Sequence, residues 1–300
     1  MPQLTSVGAI YWLHLAGLGS IQFNNVVNQA KSITISDTSL TSLEGINVDN
    51  VDTFDINNNR YLNEVNVNLQ TVAQSLDISF NAQQVSASFP SLQWANNITF
   101  RDVSSISMPN ITVVNASAGF INNTVNGLAF PQLTQIGGSL AIVSNDQLSN
   151  VSFPQLSTVG GGFQIANNTQ LGSVLGFPKV KSVGGAIDFT GNFSSAQLPS
   201  LTLVKGGVDI ESSSSKFNCS SWNQAHSDGD IQGDSYVCKA KSVSTSVAIH
   251  ATSGASSGSG SASATAAAST TSSSKGGAVP LAMEYTSAFG ALAAFVFQFV

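Results

Sequence analysis

The sequence predicts a mainly β fold, a right-handed parallel β-solenoid of about ten coils of ~22 residues. Three observations carry this. An apolar-x-apolar pair, usually followed three residues later by Asn, recurs along residues 33–213 at steps of 20 to 24 residues. The phrase Phe-Pro-x-Leu/Val-x-x-Ile/Val-Gly-Gly occurs at Phe130–Gly138, Phe153–Gly161 and Phe177–Gly185, with a looser copy at Leu198–Gly207. Helical periodicity is almost absent. An apolar-x-apolar pair puts both side chains on one face of a strand. One such strand per coil cannot bury that face alone, whereas stacked coils bury it in a continuous core.

The coils run in order as Ile33/Ile35/Thr38, Phe54/Ile56/Asn59, Leu76/Ile78/Asn81, Ile98/Phe100/Val103, Ala118/Phe120/Asn123, Leu140/Ile142/Asn145, Phe163/Ile165/Asn168, Ile187/Phe189/Asn192 and Val208/Ile210/Ser213. Tyr11/Leu13/Ala16 fits one step earlier. The apolar stretch Ile10–Leu18 is therefore assigned to a coil and not to a signal-peptide core. With no basic start and no other leader, the chain is expected to lack amino-terminal sequence. The recurrent Asn is expected to form a ladder, its amide pairing with backbone groups where the chain turns inward. The Gly-Gly pairs are expected to supply positive φ at a tight turn. Each Pro ends the preceding segment in an extended state.

After residue 216 the pattern changes. Residues 217–240 hold both cysteines, Cys219 and Cys238, and are expected to be a disulfide-bearing cap on the open solenoid end. Residues 241–275 are rich in Ser, Thr and Ala, with no charged residue from Ser242 to Ser274, and read as a disordered, O-glycosylated stalk. Residues 276–300 begin with the small residues Gly276, Gly277 and Ala278. A spacer and the apolar run Ala288–Val300 follow. This order is the signal for a glycosylphosphatidylinositol (GPI) anchor, with Gly276 as attachment residue and Ser274 as the alternative. The apolar run is too short to cross ~30 Å of hydrocarbon as a helix.

Composition agrees with that compartment. Charged residues make up 9% of the chain and the formal net charge is −6, so no basic stripe exists to neutralise nucleic acid. Eight sequons, at Asn97, Asn110, Asn115, Asn122, Asn150, Asn167, Asn192 and Asn218, mark a secreted glycoprotein on which several are expected to carry glycan.

Together these features resemble the fungal GPI-anchored cell-wall organisation proteins, whose ectodomain is similar to the receptor L-domain. The matching residues are Leu43-Glu44-Gly45-Ile46, Phe54-x-Ile56-x-Asn58-Asn59, the Pro-x-Leu-x-x-Val-Gly-Gly coils, Cys219 and Cys238, the stalk and the tail. The resemblance implies roles in wall integrity, polarised growth and spore-wall formation, and no defined molecular activity.

No catalytic, cofactor-binding or metal-ligating set stands out. His14, His226 and His250 lack metal spacing, and phosphate-binding loops and the Gly-x-Ser-x-Gly elbow are absent. One constellation bears on carbohydrate. Coil alignment stacks Asp55 on Asp77 and Asp188 on Asp209 at one outward position, with Arg101 one outward position further along. Stacked carboxylates ~5 Å apart fit a glycan-facing surface, or the pair of a retaining glycosidase. The rest of the row reads Thr34, Thr99, Gly119, Ala141 and Gln164, with Trp12 as its one aromatic. The expected function is a non-enzymatic surface protein binding wall polysaccharide or wall protein. The alternatives are a wall-remodelling glycosidase or transglycosylase using an Asp pair, and a receptor for a peptide or protein ligand.

Overall fold

A computed structural model describes residues 4–21, 26–43 and 45–241. The GPI attachment candidates Gly276 and Ser274, the apolar tail and the stalk from residue 242 lie outside the described residues, as does Glu44.

The described chain is a parallel β-solenoid of about nine turns. One strand per turn joins a continuous parallel sheet, from Ala9–Leu13 through Ser32–Ser36, Asn50–Asn57, Thr71–Ser79, Trp94–Arg101, Ala118–Ile121, Leu140–Val143, Phe163–Ala166, Ile187–Gly191 and Val208–Ser212 to Tyr236–Ala240. Shorter strands such as Gly127–Ala129 with Asn150–Ser152 build the other sides. Among the described residues the single α-helix is Ser220–Ser227, within the segment expected to close the end.

The core is a column of aromatic rings. Phe54, Phe89, Phe100, Phe120, Phe130, Phe153, Phe177, Phe163 and Phe189 follow one another with ring centroids 4.9 to 6.3 Å apart. Trp222 of the helix continues the column against Phe189, and its Nε1 donates to the Ala196 carbonyl. A disulfide joins Cys219, just before the helix, to Cys238 in the last strand.

The Asn ladder is present in most coils. The Asn59 Oδ1 accepts from Thr38 N and Oγ1, while Asn59 N and Nδ2 both donate to Asn81 Oδ1 at 3.1 Å. Asn123 repeats this onto Asn145, and Asn145 onto Asn168. Each Nδ2 also reaches a strand carbonyl of the preceding coil, as Asn145 does to Phe120 at 3.0 Å. Every ladder amide thus closes backbone groups that would otherwise be unpaired.

Three expectations are corrected. First, the opening coil is shifted by one residue. Ile10 pairs with Ile33 and Trp12 with Ile35, so these two face inward and Tyr11 faces out opposite Thr34. Ala9–Leu13 is apolar at every position, so alternation could not select a face, and a one-residue slip exchanges the faces. Second, the ladder does not reach three of its expected places. Ala16 is exposed at the start, and Asn192 and Ser213 are exposed at the end. The strand Ile187–Gly191 runs one residue longer, and Phe193 takes the interior place and packs on Phe217. Ser212 closes that turn by donating to the Phe193 carbonyl.

Third, the Gly-Gly pairs do not hold positive φ; among the described residues only Gly45 and Gly229 do so as glycines. The pairs are needed because successive coils touch there. A Cβ on Gly160 would overlap the Gly137 carbonyl, and one on Gly184 would overlap the Gly160 carbonyl. The non-glycine residues with positive φ each sit just past a strand of the sheet: His14, Asp37, Asn58, Phe80, Asp102, Asn122, Ser144, Asn167 and Lys241. Asn and Asp tolerate this conformation because their short polar side chains bond locally.

Candidate functional site: the outward sheet face

The outward row of the sheet has the register expected from sequence apart from its first member. Thr34 pairs with Asp55, Asp55 with Asp77 and Asp77 with Thr99. Gly119, Ala141 and Gln164 follow, then Asp188 and Asp209 in neighbouring strands. The aromatic of this row is Tyr11, not Trp12. Five strand steps separate Asp77 from Asp188, about 24 Å at ~4.8 Å per step. The two carboxylate pairs therefore form two separate sites with a small-residue stretch between them.

The amino-terminal pair is tied into an amide network. Asn57 Nδ2 donates to Asp55 Oδ1 at 2.6 Å, and Ser36 Oγ and Asn58 Nδ2 donate to Asn57 Oδ1. Burial raises the Asp55 carboxyl above its ordinary range, and the Asn57 bond opposes this. Burial pushes Asp77 up to about 6; the Asp55 charge adds to the rise, while a Ser79 hydrogen bond and the Arg101 charge oppose it. Asp77 Oδ1 is buried without a hydrogen-bond partner. The Arg101 guanidinium lies 5.3 Å from the centre of the Phe80 ring.

The carboxy-terminal pair has different neighbours. Thr190 Oγ1 and Gln164 Nε2 donate to Asp188, whose carboxyl burial pushes up to about 6, helped by the charges of Asp209 and Glu211. Burial and Glu211 raise Asp209, and Lys239 opposes them. Lys239 Nζ is 2.7 Å from Glu211 Oε1, which closes this end of the face with an ion pair. Among the described residues no group of three or more His, Cys, Asp or Glu is disposed to hold a metal ion.

Asn110, Asn115, Asn122, Asn150, Asn192 and Asn218 are exposed, and Asn97 and Asn167 are half-buried. Several of these amides already hold neighbours: Asn97 Oδ1 accepts from Ser117 N, Asn110 Nδ2 donates to the Pro90 carbonyl, and Asn122 Nδ2 donates to Asp102. The alignment by apolar pairs did not single out Phe80. Its signal was there to be read: seven coils carry His, Asp, Asn or Ser at that place, one carries Phe, and Lys241 follows the last strand.

Three relatives share about three quarters of the chain. The cell wall mannoprotein PST1 of Saccharomyces cerevisiae is 44% identical over 232 residues, 77% of this chain and 52% of the relative. The cell surface GPI-anchored protein ECM33 of Candida albicans is 40% identical over 240 residues, 79% of this chain and 58% of the relative. A cell surface GPI-anchored protein of Arthroderma benhamiae is 36% identical over 223 residues, 74% of this chain and 57% of the relative. The chain thus spans little more than half the length of these relatives. No family model and no solved structure matches it. The chain is a homologue of fungal cell-wall mannoproteins and GPI-anchored cell-surface proteins.

Proposed function

We propose that the chain is a glycoprotein of the fungal cell surface that serves cell-wall organisation without catalysing a reaction. It binds wall polysaccharide or a wall protein through the outward sheet face. The observation that carries this is the identity of 36 to 44% with relatives named for the cell wall and the GPI-anchored surface. Those names support a place on the outer face of the plasma membrane or in the wall. On this reading Gly276, or Ser274, receives the anchor, residues 241–275 raise the solenoid from the bilayer, and residues 217–240 cap it. Several of the sequons carry glycans on the coils between residues 97 and 218.

A GPI-specific phospholipase should release the protein from cells expressing the full-length gene. The released protein should be retained by insoluble β-glucan, chitin, mannan or a wall-protein extract, and leave soluble polysaccharide uncleaved. Retention by none of them contradicts the reading.

One observation favours a second reading, polysaccharide hydrolysis or transglycosylation. Asp77 and Asp188 are each pushed to about 6 beside a second carboxyl, as a glycosidase acid is beside its nucleophile. Product formation abolished by Asp77→Asn or Asp188→Asn would establish it. The absence of product from β-glucan, chitin and mannan oligomers would reject it.

A further inference from the structure

The two ends of the solenoid differ in what they expose. All eight sequons lie between Asn97 and Asn218. Among the described residues the exposed large apolar side chains are Tyr11, Leu13, Leu15, Val26, Tyr61 and Phe80, with Leu175 alone beyond them. Apart from Leu175, these side chains precede the first sequon in the sequence, and Asn97 is the one sequon on the strand that carries Arg101.

Phe80 is the least expected of these. Its φ is +54°, a left-handed conformation in which a bulky residue is an outlier, yet the ring is 50% exposed. Burial does not explain keeping a Phe there, because the ring fills no part of the core. Strain of this kind persists where the surrounding structure imposes it, and it clusters at ligand sites. The ring is joined to a polar chain. Arg101 lies against it, Asp77 feels the Arg101 and Asp55 charges, and Asn57 bonds Asp55. On the neighbouring coil Tyr61, 49% exposed, has Arg60 over its ring at 5.5 Å. These are the two aromatic–guanidinium pairs among the described residues.

Phe80 and its rim of carboxyl, amide and guanidinium groups, taken alone, fall short of the about 800 Å² that a protein interface takes from each partner. It matches a pyranose, which has an apolar C–H face and an edge of hydroxyls that both donate and accept. The opposed charges of Arg101 and Asp77 suit a ligand without net charge.

We propose that Phe80, with Asn57, Asp55, Asp77 and Arg101, forms a subsite for a neutral polysaccharide chain, with Tyr61 as its continuation on the neighbouring coil. This rests on the polysaccharide reading above and narrows it to one end of the face. The carboxy-terminal pair, beside the Lys239–Glu211 ion pair and with no exposed ring on its strands, does not share the arrangement.

The test uses the secreted full chain, titrated with β-1,3-glucan, chitin and α-mannan hexasaccharides by calorimetry. One of them should bind. Phe80→Ala and Asp77→Asn should each weaken it about tenfold or more, near the limit of one lost ring or hydrogen-bond contact. Phe80→Trp should retain binding, and Ser144→Ala, at the equivalent place in a later coil, should leave it unchanged. Because Phe80 lies outside the core, thermal melts of Phe80→Ala should stay at or above wild type, which separates lost binding from lost fold. Equal binding by Phe80→Ala and wild type overturns the subsite but leaves polysaccharide binding standing. So does a loss confined to Asp188→Asn or Asp209→Asn. A wild-type chain that binds no saccharide overturns both.

Discussion

The amino-terminal coils and the carboxy-terminal coils turn the same corner in different ways. Strands Asn50–Asn57, Thr71–Ser79 and Trp94–Arg101 are eight or nine residues long and carry their pairing round the corner through register shifts at Val51/Thr53 and Val72/Ser75. Strands Leu140–Val143, Phe163–Ala166 and Ile187–Gly191 are four or five residues long and meet the corner at Gly137-Gly138, Gly160-Gly161 and Gly184-Gly185. A bulge tolerates side chains and bends the strand, so the residues beside it can vary. A glycine corner brings coil backbones together and leaves no room for variation. The difference teaches where function can be built: on the bulged coils, which carry one sequon, Asn97, on their strands and expose aromatic rings.

The largest expected effect tests the corners. Gly160→Val forces a side chain into the Gly137 backbone and should cost more than about 5 kcal/mol, comparable with the whole stability of a domain. Gln74→Ala in the bulged corner should cost under about 0.5 kcal/mol. Equal losses in chemical denaturation would erase the distinction between the corners.

Next comes the ladder. Asn145→Ala strips acceptors from Asn123 N and Nδ2 and a donor from the Phe120 carbonyl, and should cost about 3 to 4 kcal/mol. Asn192→Ala, outside the ladder, should change stability by less than about 0.5 kcal/mol. A large loss at Asn192 would restore it to the ladder.

The carboxylates make a similar prediction for both ends. Asp77 and Asp188 bind a proton more tightly folded, near 6, than unfolded, near 3.8. Their protonation favours the fold below about pH 4 to 6, and that contribution is lost as pH rises through 6. Asp77→Asn or Asp188→Asn should therefore raise stability at pH 7 by about 2 to 3 kcal/mol and flatten the fall between pH 4 and pH 6. Thermal melts across that range check it. A gain at one site only would set the two pairs apart electrostatically.

The smallest effect concerns strain. Phe80→Asn places at this corner the residue type found in Asn58 and Asn122, and should stabilise by about 1 kcal/mol. A destabilised variant would show that the ring supports the fold.

Much of this architecture was legible. The pairs from Ile33/Ile35 to Val208/Ile210 predicted the register of the sheet, because alternation with polar residues assigns most strands one face, and the repeat spacing from both neighbours fixes all-apolar Leu140–Val143. The stacking of Asp55 on Asp77 and of Asp188 on Asp209 followed from it. What stayed hidden were corners and ends. Ala9–Leu13 has no polar residue to select its face. Gly137-Gly138 signals a constraint without saying whether it is positive φ or close approach, and only the neighbouring coil decides. Asn192 keeps the ladder spacing but loses the left-handed residue before it, since Gly191 stays extended within its strand. Phe80 is apolar and falls outside the apolar-pair alignment, although it is the residue that distinguishes one end of the sheet face from the other.

The most direct measurement is a crystal structure of the full chain with whichever hexasaccharide binds. The account predicts a sugar ring against Phe80, with hydroxyls at Asp77, Asn57 or Arg101, and bare protein at Asp188 and Asp209. A sugar bound across Gln164, Asp188 and Asp209, with Phe80 free, would contradict it.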